Sequence, residues 1–197
     1  MKRRDASLAD SNMTKKAMAA ALRDLTLTEP FAKISIGDIC KRCNVSRKTF
    51  YYHFKDKDDL VNWIFDTEFV AYARQHTYAS VWQAMEDLFR YFYRYHAFYK
   101  KVLQQDGHNS FSTYFGELIH TVFVEHLKVL VGDSVTGEFQ INFVADGMVC
   151  LIKRWLAQPD CATPEELIAQ LKEGADVMTR YIIKTLPVEN VHTDTAL

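Results

Sequence analysis

The stretch Ser35-Ile36-Gly37-Asp38-Ile39-Cys40-Lys41-Arg42-Cys43-Asn44-Val45-Ser46-Arg47-Lys48-Thr49-Phe50-Tyr51-Tyr52-His53-Phe54-Lys55-Asp56-Lys57-Asp58-Asp59-Leu60 decides the reading of this chain. Ser35 predicts a helix start, and Asp38 three residues on completes a box in which each side chain takes up the other's free backbone N–H. Ile36 and Ile39 supply the buried face, and the helix stops near Cys43. Asn44 tolerates the left-handed backbone that a sharp turn needs. Val45 then plugs the angle, and Ser46 caps a second helix running from Arg47 to about Phe54. Two short capped helices, with basic and hydroxyl groups gathered on the second, have the layout of a DNA-reading helix-turn-helix.

In that layout Arg47, Lys48 and Thr49, in the first turn of the second helix, face base edges in the major groove. Phe50 and Phe54 share a face at i, i+4 spacing and point into the core. Tyr51, Tyr52 and His53 remain for phosphates, and Ser35, Ile36 and Ser46 join the contact set from the two helix starts. Asp56 caps a third helix whose first turn presents Lys57 as a further phosphate contact.

Val45, Ser46, Thr49, Tyr51, His53, Phe54, Lys57 and Leu60 resemble the TetR/AcrR family pattern position by position. Cys40 and Cys43 stand where that family usually has alanine and Asn44 where it usually has glycine, while Gly37 costs about 1 kcal/mol of helix propensity relative to alanine. The resemblance implies an all-α protein: an N-terminal three-helix helix-turn-helix domain, then a C-terminal helical domain for ligand binding and dimerisation, with the last two helices pairing between subunits. A looser similarity, from His96 through Phe98-Tyr99-Lys100 to Phe111 and Phe115, is to the branch that includes activators of dihydroxyacetone kinase genes.

Charge divides the chain in the same way. Met1 to Lys57 carries 13 Lys and Arg against 6 Asp and Glu, a net +7, and Asp58 to Leu197 carries 11 against 19, a net −8. A basic first third before an acidic remainder fits a nucleic-acid footprint joined to a body that avoids nucleic acid. At 197 residues and 48% apolar content the chain can bury a substantial core. Asp146, Lys153 and Arg154 interrupt the longest apolar stretches too soon for a membrane span, and the start lacks an apolar signal core, so a cytoplasmic protein is expected.

The four cysteines, at 40, 43, 150 and 161, offer a single C-x-x-C without a second pair or nearby histidine to complete four ligands, so buried reduced thiols are expected. No G-x-S-x-G, P-loop or dinucleotide glycine pattern occurs, so no enzyme, cofactor or metal is expected.

Four segments follow: a disordered basic arm over 1–10, the reading head over 11–57, a helical body over 58–188 and a flexible tail over 189–197. Thr14 to Leu27 predicts a helix that Pro30 ends, packing behind the reading pair. Lys57 to about His76 is the connecting helix, and Ser80 opens another reaching about His96. A short helix follows over Ala97 to Gln105. Asp106-Gly107-His108-Asn109 breaks the chain, Ser110 caps a helix to Val131 before Gly132-Asp133, and further helices cover Gly137 to Gln158 and the stretch after Thr163-Pro164-Glu165-Glu166.

From Gly137 to Gln158, Val144, Met148, Leu151 and Trp155 make one apolar seam and Ile141, Ala145, Val149, Ile152 and Leu156 a second. A helix apolar on both sides must be covered on both. The last helix carries Leu167, Leu171, Ala175, Met178, Ile182 and Leu186. The first seam, with Leu171, Ala175, Met178 and Ile182, is the expected homodimer interface, although a single-chain bundle could also bury these stripes.

Seven aromatics between Phe89 and Tyr99 are too many for one helix face. Phe89, Phe92, Tyr93 and Phe98, with Tyr114, Phe115 and Phe143, are expected to wall an effector cavity near His120 and Asp146; Phe111, Phe123 and Phe139 lie near them. A simply packed aromatic core is the alternative. The function expected is a homodimeric regulator, more often a repressor, that binds a palindromic operator in double-stranded DNA and is released by a small organic effector. A coactivator binding a partner protein is the alternative. A metal-responsive regulator using His96, His108, Glu117, His120 or His126 is a third.

Overall fold

The computed structural model describes residues 2–105, 107, 110–131 and 138–185, with the side chains of 2–10, 123, 125–131, 140, 182, 183 and 185 outside that description. All its regular elements are helical. The expected tail over 189–197, Leu186, the breaks at Asp106, His108, Asn109 and Gly132-Asp133, and the side chains of Lys2, Arg3, Arg4, Phe123, His126 and Ile182 lie outside the described residues.

The reading head is α1 (Lys2–Thr28), a 3-10 turn (Phe31–Lys33), α2 (Ile36–Arg42) and α3 (Arg47–His53). The first helix does not begin at Thr14. It runs back to Lys2, through the segment expected as a disordered arm, because no glycine or proline interrupts the chain before Pro30 and Ala6, Leu8 and Ala9 favour helix. Met18 and Leu22 of α1 pack with Phe31, Ile34, Ile39, Phe50 and Phe54.

α4 (Lys57–Phe65) passes through a single π turn (Asp66–Val70) into the short α5 (Ala71–Ala73), so the connecting helix ends before His76. The body follows as α6 (Val81–Arg94), α7 (His96–Val102), α8 (Phe111–Val131), α9 (Glu138–Ala157) and α10 (Pro164–Thr185). Starts follow the sequence closely. Ser80 accepts from Gln83 N, and Thr163 and Glu166 form a reciprocal pair at 2.8 and 3.3 Å.

Phe65, at the end of α4, is the hub of the body. Its ring lies 5.3 to 5.7 Å from the rings of Phe69, Tyr91, Phe92, Phe111 and Phe115, and 6.3 Å from Tyr99. α8 packs along α9 and α10 packs on α6. One hydrophobic cluster runs continuously from the head into the body.

α9 corrects the two-seam reading. Its buried residues are Ile141, Ala145, Met148, Ile152, Trp155 and Leu156, a stripe at alternating spacings of four and three that takes members from both predicted seams. Trp155 is 3% exposed, lies 5.6 Å from the Phe89 ring and donates Nε1–H to Ala162 O at 2.8 Å. Trp155 and Met148 therefore belong to the chain's own core. Val144, Leu151 and Leu171 are half-buried, and Ala175 and Met178 are exposed. The outer face of α9 instead presents Phe139, 78% exposed, and Phe143, 71% exposed.

Candidate nucleic-acid interface

The turn carries the chemistry that its residues announced. Ser35 Oγ accepts from Asp38 N at 3.2 Å, while Asp38 Oδ2 accepts from Ser35 Oγ at 2.6 Å and from Ser35 N at 2.9 Å, and these last two bonds, the hydroxyl's first, hold the Asp38 carboxyl below its usual range. Asn44 adopts φ 55°, the one positive-φ non-glycine residue among the described residues. Asparagine bears that conformation where a β-branched residue cannot. Asn44→Val is accordingly expected to cost about 1–3 kcal/mol in chemical denaturation, and Asn44→Gly to be close to neutral.

Ser46 Oγ accepts from Thr49 N at 3.0 Å and shares a hydrogen bond with Thr49 Oγ1 at 2.8 Å. Phe50 and Phe54 are buried as expected, so α3 is anchored on one face only. Ser35, Ser46, Arg47, Lys48, Tyr51 and Tyr52 are exposed, with Tyr52 at 82%, whereas Ile36, Thr49 and His53 are half-buried. The capped N-terminus of α3 thus puts two cations and two phenols into solvent. Thr49's hydroxyl is engaged with Ser46. Burial, together with the Lys15 ammonium, lowers the His53 pKa, so the imidazole is largely neutral at pH 7.

Lys57 departs from its expected part. Its ammonium donates to Phe31 O at 2.7 Å, Ile34 O at 3.0 Å and Ala32 O at 3.3 Å, and lies 4.5 Å from the Phe31 ring centroid. Burial lowers its pKa. Three carbonyls around a 3-10 turn take all three ammonium protons, so Lys57 braces the approach to Ser35 instead of reaching for phosphate. No signal at sequence level marks this, because the partners lie 23 to 26 residues away.

Two further contacts missed at sequence level tie the head to the body. Arg23 of α1 donates to Glu68 Oε2 at 2.6 Å, Tyr91 OH donates to the same oxygen at 3.2 Å, and Tyr91 and Tyr99 share a hydrogen bond of 2.8 Å. Burial pushes both phenols well above their ordinary pKa, so they act as neutral hydrogen-bonding groups. Lys101 of α7 donates to Thr26 O, to Glu29 O at 3.2 Å and to Leu27 O at 3.4 Å, capping the last turn of α1 with a cation from the body. In the π turn, Asp66 accepts from Tyr114 OH, which brings α8 to the same junction.

The expected aromatic cavity is a packed core. Phe89, Phe92, Phe98 and Phe115 are buried, and Phe92, Phe115, Tyr99 and Phe111 stack among themselves around Phe65. Tyr93 stacks on Trp155 at 6.1 Å, Tyr114 is held by Asp66, and Phe143 is exposed. Large rings that fill one another's gaps leave no room for a ligand. His120 and Asp146 line a cleft of mixed polar and apolar surface, of about 1030 Å³, between α8 and α9, with Ser112, Asn142, Val149, Lys153 and Arg154 among the other walls. Ser112 Oγ is shielded from water and has no hydrogen-bond partner among the described residues.

Cys40 is buried and Cys43 half-buried, and burial raises both thiol pKa values, which keeps them protonated. Among the described residues no group of three or more His, Cys, Asp or Glu is placed to hold a metal ion. None of the described helices is long and apolar enough to cross a membrane.

A twice-capped helical corner, anchored by Phe50 and Phe54 and exposing cations and phenols on an all-helical body, defines a helix-turn-helix transcriptional regulator. Residues 19–64 match the family model described as bacterial regulatory proteins, tetR family, and residues 80–176 match that described as transcriptional regulator C-terminal region. The chain belongs to the TetR family. It is 27% identical over 161 residues to the HTH-type dhaKLM operon transcriptional activator DhaS of Lactococcus lactis subsp. lactis, covering 80% of this chain and 81% of that protein. The fold is that of two solved structures. A dihydroxyacetone kinase operon activator DhaS matches with TM-score 0.58 and 21% identity, over 85% of this chain and 97% of the other. A TetR transcriptional regulator from Streptococcus agalactiae matches with TM-score 0.62 and 22% identity, over 84% and 94%.

Proposed function

We propose that the chain is a homodimeric regulator that places α3 of each subunit in the major groove of a palindromic operator and alters the spacing of the two heads when its body binds a small polar effector. The observation that carries this reading is the solvent-facing side of α3, with Arg47, Lys48, Tyr51 and Tyr52 exposed around an N-terminus capped by Ser46. Arg47 and Lys48 read bases; Ser35, Ser46, Tyr51 and Tyr52 hold phosphates. Lys57 supports the interface from behind.

Pairing rests on the exposed apolar faces of the last two helices. Phe139 and Phe143 on α9 and Val177 and Met178 on α10, the last 60% exposed, are large apolar side chains in solvent that a second copy would cover. The division into a head ending at residue 57 and a body from residue 58 follows the same logic, with α4 as the connecting lever.

The cleft between α8 and α9 is the candidate effector site. Its two carboxylates, two cations and one amide, set among apolar surface, suit a compound with charged or polar groups better than the wholly hydrophobic ligand implied by an aromatic cavity. The curated relative is called an operon activator, and that name favours activation over the repression expected from sequence.

Selection of bound duplexes from a random pool by the full chain tests this reading. Enrichment of an inverted repeat with half-sites spaced by about 34–36 Å is the expected result. Recovery of no common sequence would reject operator reading, and a single unrepeated half-site would reject the dimer.

A further inference from the structure

The outer face of α9 carries a straight seam. Phe139, Phe143, Asp146, Cys150, Arg154 and Ala157 recur at spacings of four, three, four, four and three, and all six are exposed. That spacing keeps them on one side of the helix, opposite the stripe from Ile141 to Leu156 that the chain buries in its own core. Neither Asp146 nor Arg154 makes a hydrogen bond or an ion pair among the described residues.

The order along the seam is self-complementary. Asp146 lies four residues before Cys150 and Arg154 four after it, while Phe143 lies seven before and Ala157 seven after. A two-fold axis at Cys150 therefore lays the seam antiparallel on its own copy, with opposite charges meeting and each large ring meeting a methyl group. Other placements fail. An axis about one turn earlier, at Asp146, sets two carboxylates face to face, and one about a turn later, at Arg154, sets two guanidinium groups face to face. Parallel helices would do both at once.

We propose that α9 pairs antiparallel with α9 of a second copy about a two-fold axis at Cys150, with Asp146 of each subunit facing Arg154 of the partner subunit and Phe143 packing on Ala157 of the partner subunit. The pairing rests on the homodimer proposed above and gives it a register. Asp146, Cys150 and Arg154 also line the cleft between α8 and α9, so the second copy stands against one wall of the candidate effector site.

Cys150, which is exposed, is the probe. Helices packed about 8–10 Å apart bring facing residues close enough for the Cα separation of about 4.4–6.8 Å that a disulfide needs. Moving the axis by one turn parts the two thiols by about 11 Å along the seam. The full chain is treated with diamide, which takes the two thiol hydrogens as it is reduced to its hydrazine. A covalent dimer is expected on electrophoresis without reductant, lost in Cys150→Ser and kept in Cys161→Ser. By sedimentation equilibrium, Asp146→Lys and Arg154→Glu should each weaken self-association about tenfold, and the two together should return it to within about threefold of the unaltered chain. Both side chains are exposed, so the fold of the single chain is not at stake. A sedimenting dimer that diamide does not link through Cys150, or a combined variant no tighter than the single ones, would overturn the register and leave the homodimer standing. A chain that sediments as a monomer would overturn both.

Discussion

Phe65→Ala is expected to lower the free energy of unfolding by about 3–5 kcal/mol, the range for truncating a fully buried phenylalanine. The argument is geometric. Phe65 is 0% exposed and its ring is edge-on or stacked against Tyr91, Phe92, Tyr99, Phe111 and Phe115, so removal empties the point where α4, α6, α7 and α8 meet. No neighbour can swing in to fill the space, since each ring is already fixed by another. Phe65→Leu should recover about half of the loss. Chemical denaturation of both variants checks this. A loss under about 1 kcal/mol for alanine would mean that the aromatic cluster is loosely packed and able to admit a ligand, as the sequence first suggested.

The second large effect concerns Lys57. Replacing it with methionine keeps the stem but strands three carbonyls, and hydrogen bonds to a charged group contribute about 1.5–3 kcal/mol. The loss of the Phe31 contact adds to this. Lys57→Met should therefore destabilise the protein by about 2–3 kcal/mol, while the slope of log affinity against log salt for operator DNA stays unchanged. A phosphate contact would do the reverse: stability would hold, affinity would fall for all sequences alike, and the salt slope would shrink by about one. Denaturation and salt-dependent anisotropy on the same variant separate the two roles.

These two residues also show where sequence stops being informative. The helix starts at Ser35, Ser46, Asp56, Ser80 and Thr163 were legible because a cap and the backbone N–H that donates to it lie three residues apart, within one turn. Asn44 was legible for the same local reason. Lys57 was not: its charge and position suited phosphate equally well, and only the folding of the 3-10 turn against α4 assigns its protons. The aromatic run from Phe89 to Tyr99 announced a cluster without revealing whether it was hollow, since packing against Phe65 depends on four helices at once. In α9, apolar residues on most of the circumference hid the stripe that faces inward. His120 and Asp146 stood out in the sequence as polar groups beside an aromatic cavity, but they line a cleft whose other walls, Ser112, Asn142 and Lys153, come from two helices that no local pattern joins.

The network at the junction gives the head and body a shared set of constraints. Arg23 and Lys101 fix α1 to the body at its last turns, and Asp66 fixes the π turn to α8. A π turn within a helix is a common device at functional positions, because it widens the helix where a neighbouring side chain must be admitted. Movement of α8 would pass to α4 through these contacts and reach α3 through Phe54, which packs 5.8 Å from Trp63.

The central claim is that the exposed side of α3 reads bases. Its most direct test is the affinity of the wild-type chain and of Lys48→Ala for the selected operator and every single-base variant of it. The account predicts that Lys48→Ala loses about 1–3 kcal/mol of discrimination at one symmetry-related pair of positions and keeps the remaining preferences. A variant whose base preferences match those of the wild type at all positions would contradict it.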